Sequence, residues 1–261
     1  MLKALNTAAT GMQAQQTNLE VISNNMANAS TTGFKKARAE FEDLLYQTDK
    51  APGAATGLNA VSPTGVQTGL GVRTAAVQRD HAIGTSKQTG HPFDLAILGK
   101  GFFQVLNEEG EIHYTRNGEF KRDGEGIVVD ANGNKLYPEV KLPSDVVDVN
   151  ITSRGEIELI RDRLSKPEVV GQIEIVSFIN PAGLKALGKN QFATTPASGN
   201  PQAGTPGKGH LGMVAQGELE GSNVNIVEEM VNMIQSQRTY ETNSKVMQAT
   251  DQMLQTINNL R

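Results

Sequence analysis

Residues 222–261 read SNVNIVEEMVNMIQSQRTYETNSKVMQATDQMLQTINNLR, with neither Gly nor Pro anywhere in the run. Asn225 is placed to cap the first turn, and Glu228 three positions on can reach back to close a capping box. Ile226, Met233, Tyr240, Met247 and Leu254 recur every seven residues; Met230 and Ile257 widen that line, and Val246, Met253 and Leu260 run beside it. This spacing predicts one long amphipathic helix with an apolar seam, roughly 50 Å long at 1.5 Å per residue. A small domain cannot cover a seam of that length, so the stretch predicts a partner.

The other end of the chain supplies one. Leu5, Met12, Leu19 and Met26 also repeat at sevens, with Met1, Ala8, Ile22 and Ala29 on the flanking line. The two ends are expected to pair as a coiled coil, parallel or antiparallel, and one narrow two-helix seam would leave apolar surface wet. From Met1 to Gly33 only Lys3 and Glu20 are charged, and Gln and Asn supply the remaining polarity. An isolated solvated helix usually carries more charge, so this composition suggests a helix packed among neighbours. Asn28 to Gly33 ends it with residues that tolerate left-handed geometry.

Between the ends, Phe34 to Gln47 reads as a short helical or extended arm, and Thr48 to Gly71 is rich in Gly, Pro, Ala, Thr and Ser without periodicity, as in a flexible connector. From Val72 onward the pattern is that of strands. Val147, Val149 and Ile151 alternate with Asp148 and Asn150, and Ile157 and Leu159 with Glu156 and Glu158. Asn117-Gly118, Asp123-Gly124 and Asn132-Gly133 punctuate the segments Phe102–Leu106, Glu111–Thr115 and Ile127–Val129 at hairpin spacing. Pro181 to Leu187 is compatible with a brief helix, and Ala197 to Gly209 with a loop. The fold class is therefore α+β, with a mainly antiparallel β middle inserted between two terminal helices: helix 1–33, connector 34–71, β domain 72–221, helix 222–261.

Composition narrows the chemistry. The chain has 261 residues, no Cys, no Trp and a net charge of -4, with its basic residues unclustered. Disulfides and thiolate metal sites are out of reach, and a nucleic-acid partner is disfavoured. No stretch approaches the apolar length of a membrane span, and the N-terminus lacks the apolar core and cleavage site of a secretory signal. Gly99-Lys100-Gly101 is better explained as a turn between strands than as a nucleotide loop, and Gly207-Lys208-Gly209 lacks the Ser or Thr of a phosphate loop. Asp130-Ala131-Asn132-Gly133-Asn134 has its Gly too early for a calcium loop and reads as a hairpin turn. His81, His91, His113 and His210 lack metal-ligand spacing. No catalytic, cofactor or metal residue emerges, and the chain is expected not to be an enzyme.

Two motifs carry a resemblance. Ser23 to Lys35, SNNMANASTTGFK, and Glu228 to Lys245, EEMVNMIQSQRTYETNSK, resemble the N- and C-terminal signatures of the bacterial flagellar rod and hook protein family. The matching positions are Asn24, Asn25, Asn28, Thr32, Gly33 and Phe34 at one end, and Gln237, Arg238, Tyr240, Asn243 and Lys245 at the other. FEDLLYQT (41–48), LGKGFFQV (98–105), YTRNGEF (114–120), FINPAGL (178–184) and the 48–71 insertion are similar to the distal-rod branch in particular.

The resemblance implies a structural subunit that self-assembles helically into a hollow drive shaft, with terminal helices inside and the β domain outside. It further implies contacts with proximal rod proteins, the hook or hook–rod junction, and the peptidoglycan and outer-membrane rings. Export would be by the flagellar type III apparatus, without a cleaved signal, to a rod crossing the periplasm and outer membrane. The self-assembly seam would comprise Leu5, Met12, Leu19, Ile22 and Met26 on the first helix, and Ile226, Met230, Met233, Tyr240, Met247, Leu254 and Ile257 on the last. A competing reading is a secreted β-domain binding protein or enzyme whose terminal helices only dimerise; another is a proximal rod or hook subunit.

Overall fold

The computed structural model describes residues 2–53, 55–57, 60–61, 63–143, 148–160 and 168–259. Met1, Val147 and Leu260, expected on seams or on a strand face, lie outside the described residues. The chain divides into two compact units, Met1–Ala27 with Ala37–Gln78 and Asn225–Arg261, and Asn28–Lys36 with Arg79–Val224.

The first unit holds the helix α1 (Leu2–Ala27), the strands β1 (Ala37–Asp43), β2 (Tyr46–Lys50), β3 (Ala55–Gly57), β4 (Ala60–Val61), β5 (Val66–Gly69) and β6 (Val72–Arg79, whose last residue belongs to the second unit), and the helix α2 (Ile226–Asn259). Asn225 caps α2 as expected, its Oδ1 accepting from the Val227 N–H at 3.1 Å. The Glu228 carboxylate makes no return bond among the described residues. The arm after α1 is extended, and Asn25 fastens it. Asn25 Nδ2 donates to the Ala37 carbonyl at 2.8 Å and its Oδ1 accepts from the Ala37 N–H at 2.8 Å, the pair of bonds that a neighbouring strand would make.

β1 pairs with β6, and Leu44 N–H donates to the Gly71 carbonyl at 2.9 Å. The stretch Thr48–Gly71, expected to be a structureless connector, instead folds back on itself. β2 and β5 run antiparallel, Tyr46 opposite Gly69 and Thr48 opposite Gln67, with β3 paired to β4 further out. Every residue of β2 and β5 is exposed. A ladder with both faces wet imposes no hydrophobic alternation, and the usual strand signal is therefore missing from its sequence.

The second unit is built from β7 (Ser86–Gln88), β8 (Leu95–Leu98), β9 (Phe102–Leu106), β10 (Ile112–Thr115), β11 (Phe120–Arg122), β12 (Val128–Asp130), β13 (Lys135–Tyr137), β14 (Asp148–Ile151), β15 (Glu156–Ile160), β16 (Glu168–Gln172), β17 (Ile175–Ser177), β18 (Lys185–Gly188), β19 (Gln191–Ala193), β20 (Gln202–Gly204), β21 (Met213–Gln216) and β22 (Glu218–Glu220). A nine-stranded antiparallel sheet runs β11-β12-β13-β9-β10-β19-β18, with β17 on β9 and β20 on β17. β14-β15-β16 forms a smaller sheet, and β8 and β7 pair with β21 and β22.

β9 occupies the centre, and its successive residues face two cores. Phe103 and Val105 enter the larger core with Leu95, Phe120, Leu136 and Ile157, while Phe102 enters the smaller one with Tyr114, Phe178 and Phe192. Phe103 meets Phe120 edge to face at 5.4 Å, and Tyr114 meets Phe178 at 4.9 Å, geometries that ring quadrupoles favour. The alternation in β14 and β15 appears as expected, with Val149, Ile151, Ile157 and Leu159 buried.

Turn expectations divide. Asp123-Gly124 and Asn132-Gly133 do join antiparallel neighbours, β11 to β12 and β12 to β13. Asp130 holds the second turn, accepting from the Asn132 and Asn134 N–H groups at 2.7 and 2.9 Å. Asn117-Gly118 is no hairpin, because β10 and β11 are not neighbours in the sheet. Gly118 serves a close approach instead: a Cβ there would fall 1.6 Å from the Leu95 carbonyl oxygen. The brief helix expected over Pro181–Leu187 shrinks to one 3-10 turn, Pro181–Gly183, after which β18 begins. The expected loop Ala197–Gly209 contains β20, which pairs with β17.

Candidate self-assembly surface

Within the first unit α1 and α2 pack antiparallel in a register marked by three rungs. Gly11 faces Asn243, where a Cβ would come within 3.0 Å of the Asn243 Nδ2. One heptad on, Asn18 Nδ2 donates to Ser236 Oγ at 2.8 Å. One heptad further, Asn25 Nδ2 reaches Glu229 Oε2 at 3.4 Å. The contact line on α2 is thus Glu229, Ser236, Asn243 and Thr250, of which Glu229, Ser236 and Thr250 are buried. Small and amide side chains there let the helices approach closely, and hydrogen bonds fix the register that apolar contacts alone would leave slippery.

The apolar residues expected to form the seam flank this line or point away from it. On α1, Ile22 is buried, and Leu5, Met12, Leu19 and Met26 are half-buried. On α2, Met233, Met247 and Leu254 are half-buried, whereas Ile226, Met230, Tyr240 and Ile257 are exposed. Val227, Val231, Ile234, Val246 and Met253 are exposed with them, Val227 at 69% and Ile234 at 49%. Val227, Met230, Val231 and Ile234 fall within about two turns, a cluster that exceeds what scattered surface hydrophobics explain. The polar rungs were missed in the sequence because heptad reading ranks apolar positions; the seven-residue recurrence of Gly11, Asn18 and Asn25 was the available signal.

The motif residues separate into two groups. Asn25, Gly33 and Phe34 are buried, Asn28 and Thr32 half-buried and Asn24 exposed. At the other end Asn243 is half-buried, while Gln237, Arg238, Tyr240 and Lys245 face outward. Gly33, in the second unit, has φ +69, and a Cβ would fall 2.6 Å from the Asn117 nitrogen. The Thr32 carbonyl accepts from Asn190 Nδ2 at 2.8 Å.

Sequence inspection did not single out the buried charges of the second unit. Lys35 Nζ donates to Glu220 Oε1 and to the Ala82 carbonyl, each at 2.6 Å, and Gly84 N–H donates to the same Oε1 at 2.9 Å. Arg116 Nη1 lies 3.3 Å from Glu220 Oε2, and Arg116 Nη2 donates to the Gly99 carbonyl at 2.7 Å. Burial pushes Lys35 below the usual lysine range, partly offset by Glu220. Loss of hydration likewise lowers Arg116. His81, stacked edge-on against Phe102 and Phe192, is lowered to about 4 by burial first and then by the positive charges of Lys35, Arg116 and Arg79. No group of three or more metal-capable side chains converges among the described residues, and no helix among them is long and apolar enough to cross a membrane. These contacts tie residues 33–35, 82–84, 116 and 220 together.

Family models match along the chain: a flagella basal body rod protein model at residues 5–35, a flagellar hook protein FlgE/F/G D1 domain model at 96–159, and a flagellar basal body rod FlgEFG protein C-terminal model at 215–260. The chain is 46% identical to the flagellar basal-body rod protein FlgG of Agrobacterium fabrum over 97% of both chains. It is 46% identical to that of Borreliella burgdorferi over 100% of this chain and 99% of the relative. It is 44% identical to that of Buchnera aphidicola from Acyrthosiphon pisum, over the whole of both.

Proposed function

This chain belongs to the family of flagellar basal-body rod proteins, and on that premise we propose that it is a structural subunit of the rod, polymerising through the outward apolar face of α2. The observation that carries the proposal is the division of labour on α2. Its polar line, Glu229, Ser236 and Asn243, is occupied by α1, and its apolar side chains are left facing solvent. In a polymer those side chains would meet other copies of the same helix pair, at about 25 cal/mol per Å² buried before ordering costs. Contacts repeated head to tail along a screw axis extend into a filament instead of closing.

The finer reading follows the same logic. The segments 1–33 and 222–261 form the axial inner layer, 34–71 the connector, and 72–221 the outer domain. The filament is the distal part of a hollow shaft that transmits torque and passes exported chains through its lumen. It meets proximal rod proteins below, the hook or its junction above, and the peptidoglycan and outer-membrane rings around it as it crosses the periplasm. The subunit itself is delivered by the type III export apparatus. These flagellar partners and the export route rest on kinship with the rod family.

The test is a double substitution, Met230→Asp with Ile234→Asp, on the exposed face. Helix content of the soluble chain is expected to be unchanged, while rods are absent by electron microscopy and a strain carrying only this variant does not swim. Normal rods and normal swimming would overturn the proposed surface.

A further inference from the structure

The second unit carries a cleft of about 570 Å³, a size typical of small-ligand sites. Its lining includes the apolar side chains of Phe102, Phe178, Pro181 and an Ile179 that is 79% exposed. The same lining holds the exposed Lys100 and the buried Arg116, whose guanidinium lies 5.6 Å from the Phe102 ring centroid. In and under the cleft Lys35, Arg79, Lys100 and Arg116 outnumber the carboxylates of Asp80 and Glu220. Ser177 Oγ and His210 Nε2 bond to each other at 2.6 Å. By contrast Arg116 Nε and His81 Nδ1, both enclosed, have no hydrogen-bond partner among the described residues. A buried donor without an acceptor is uncommon and calls for one. Arg116 is 97% withdrawn from solvent, its own exposure being 3%.

We infer that this cleft binds a carboxylate attached to a compact apolar body, the carboxylate toward Lys100 and Arg116 and the apolar body against Phe178 and Ile179. A surplus of positive charge selects an anion, and the adjoining ring and aliphatic surface selects an apolar body over inorganic phosphate. The carboxylate could come from a free small acid or from an acidic side chain of a second copy. The apolar cluster of α2 does not enter the argument, so binding by the unassembled chain tests this site independently of the rod surface.

The probe is phenylacetate, with neutral phenylacetamide of the same shape as control, titrated into the soluble full-length chain by calorimetry and by NMR of the Arg116 Nε–H signal. Saturable binding of phenylacetate, displacement of that signal, and a roughly fivefold or greater weakening in Lys100→Gln are expected, the loss of one partly screened charge. Lys100 is exposed, so the substitution leaves the fold intact. Equal binding of the amide, unsaturable shifts, or full affinity in Lys100→Gln would overturn the inference. Repeating the titration on assembled rods separates the sources: rods that still bind the probe identify a free acid, and rods that do not, with assembly slowed by the probe, identify a neighbouring copy.

Discussion

β9 and α2 are both rich in apolar side chains, yet they dispose of them in opposite ways. β9 sends Phe103 and Val105 into one core and Phe102 into another, all three buried by the chain itself. α2 turns Glu229, Ser236 and Asn243 toward its intrachain partner and holds Val227, Met230, Val231 and Ile234 in water. A strand buried on both faces belongs to a completed domain. A helix that leaves an apolar cluster uncovered by its own chain has the surface that the proposed rod interface requires.

The difference is breakable by mutation. Phe103→Ala removes a fully buried ring and should cost about 4 kcal/mol of second-unit stability in urea unfolding. Met230→Ala on α2 should stay within about 0.5 kcal/mol, as surface changes do, while raising the concentration at which the chain polymerises. Similar losses for both in the soluble chain would erase the distinction between closed and open units.

A smaller effect sharpens the picture of the closed unit. His81 has its folded pKa lowered to about 4 from 6.5, so the unfolded chain binds a proton that the folded chain refuses. The stability from this group is full above about pH 6.5 and falls as the pH drops toward 4, by up to ~3 kcal/mol. His81→Phe should flatten the fall in stability between pH 7 and pH 4.5; an unaltered pH slope would mean that His81 is protonated as easily folded as unfolded.

The smallest effect concerns the rungs. Gly11→Ala gains up to about 1 kcal/mol of helix propensity and presses a methyl to 3.0 Å from the Asn243 amide, the end of a side chain that can turn aside. The two should cancel to within about 0.5 kcal/mol in thermal melting of the helices. A loss above about 2 kcal/mol would show that the Gly11–Asn243 contact is as tightly closed as the β core.

The helices, the strands β9, β14 and β15, and two of the three Gly turns were legible because each has one buried and one wet face, or two buried faces, and burial writes its period into the residues. Asn25 and Gly33 were legible as motif members, but their work was not. Asn25 imitates a strand neighbour for Ala37, and Gly33 clears the backbone at Asn117. The β2–β5 hairpin was illegible since neither of its faces is buried. Lys35, Arg116 and Glu220 were illegible as a set since they are far apart in sequence and each alone looks like an ordinary surface charge.

By itself, the amino-acid sequence determined that two proline-free amphipathic helices flank a β-rich middle along the chain, and that their apolar stripes exceed what one partner covers. Periodicity is a property of neighbours along the chain, and it needs no third dimension to be read. Only the tertiary structure decided that the helices run antiparallel, that polar rungs mark their contact, and that the apolar side chains of α2 stay outward. Register and orientation depend on which distant side chains meet, and Asn18 with Ser236 or Asn25 with Glu229 become partners only when the chain has folded.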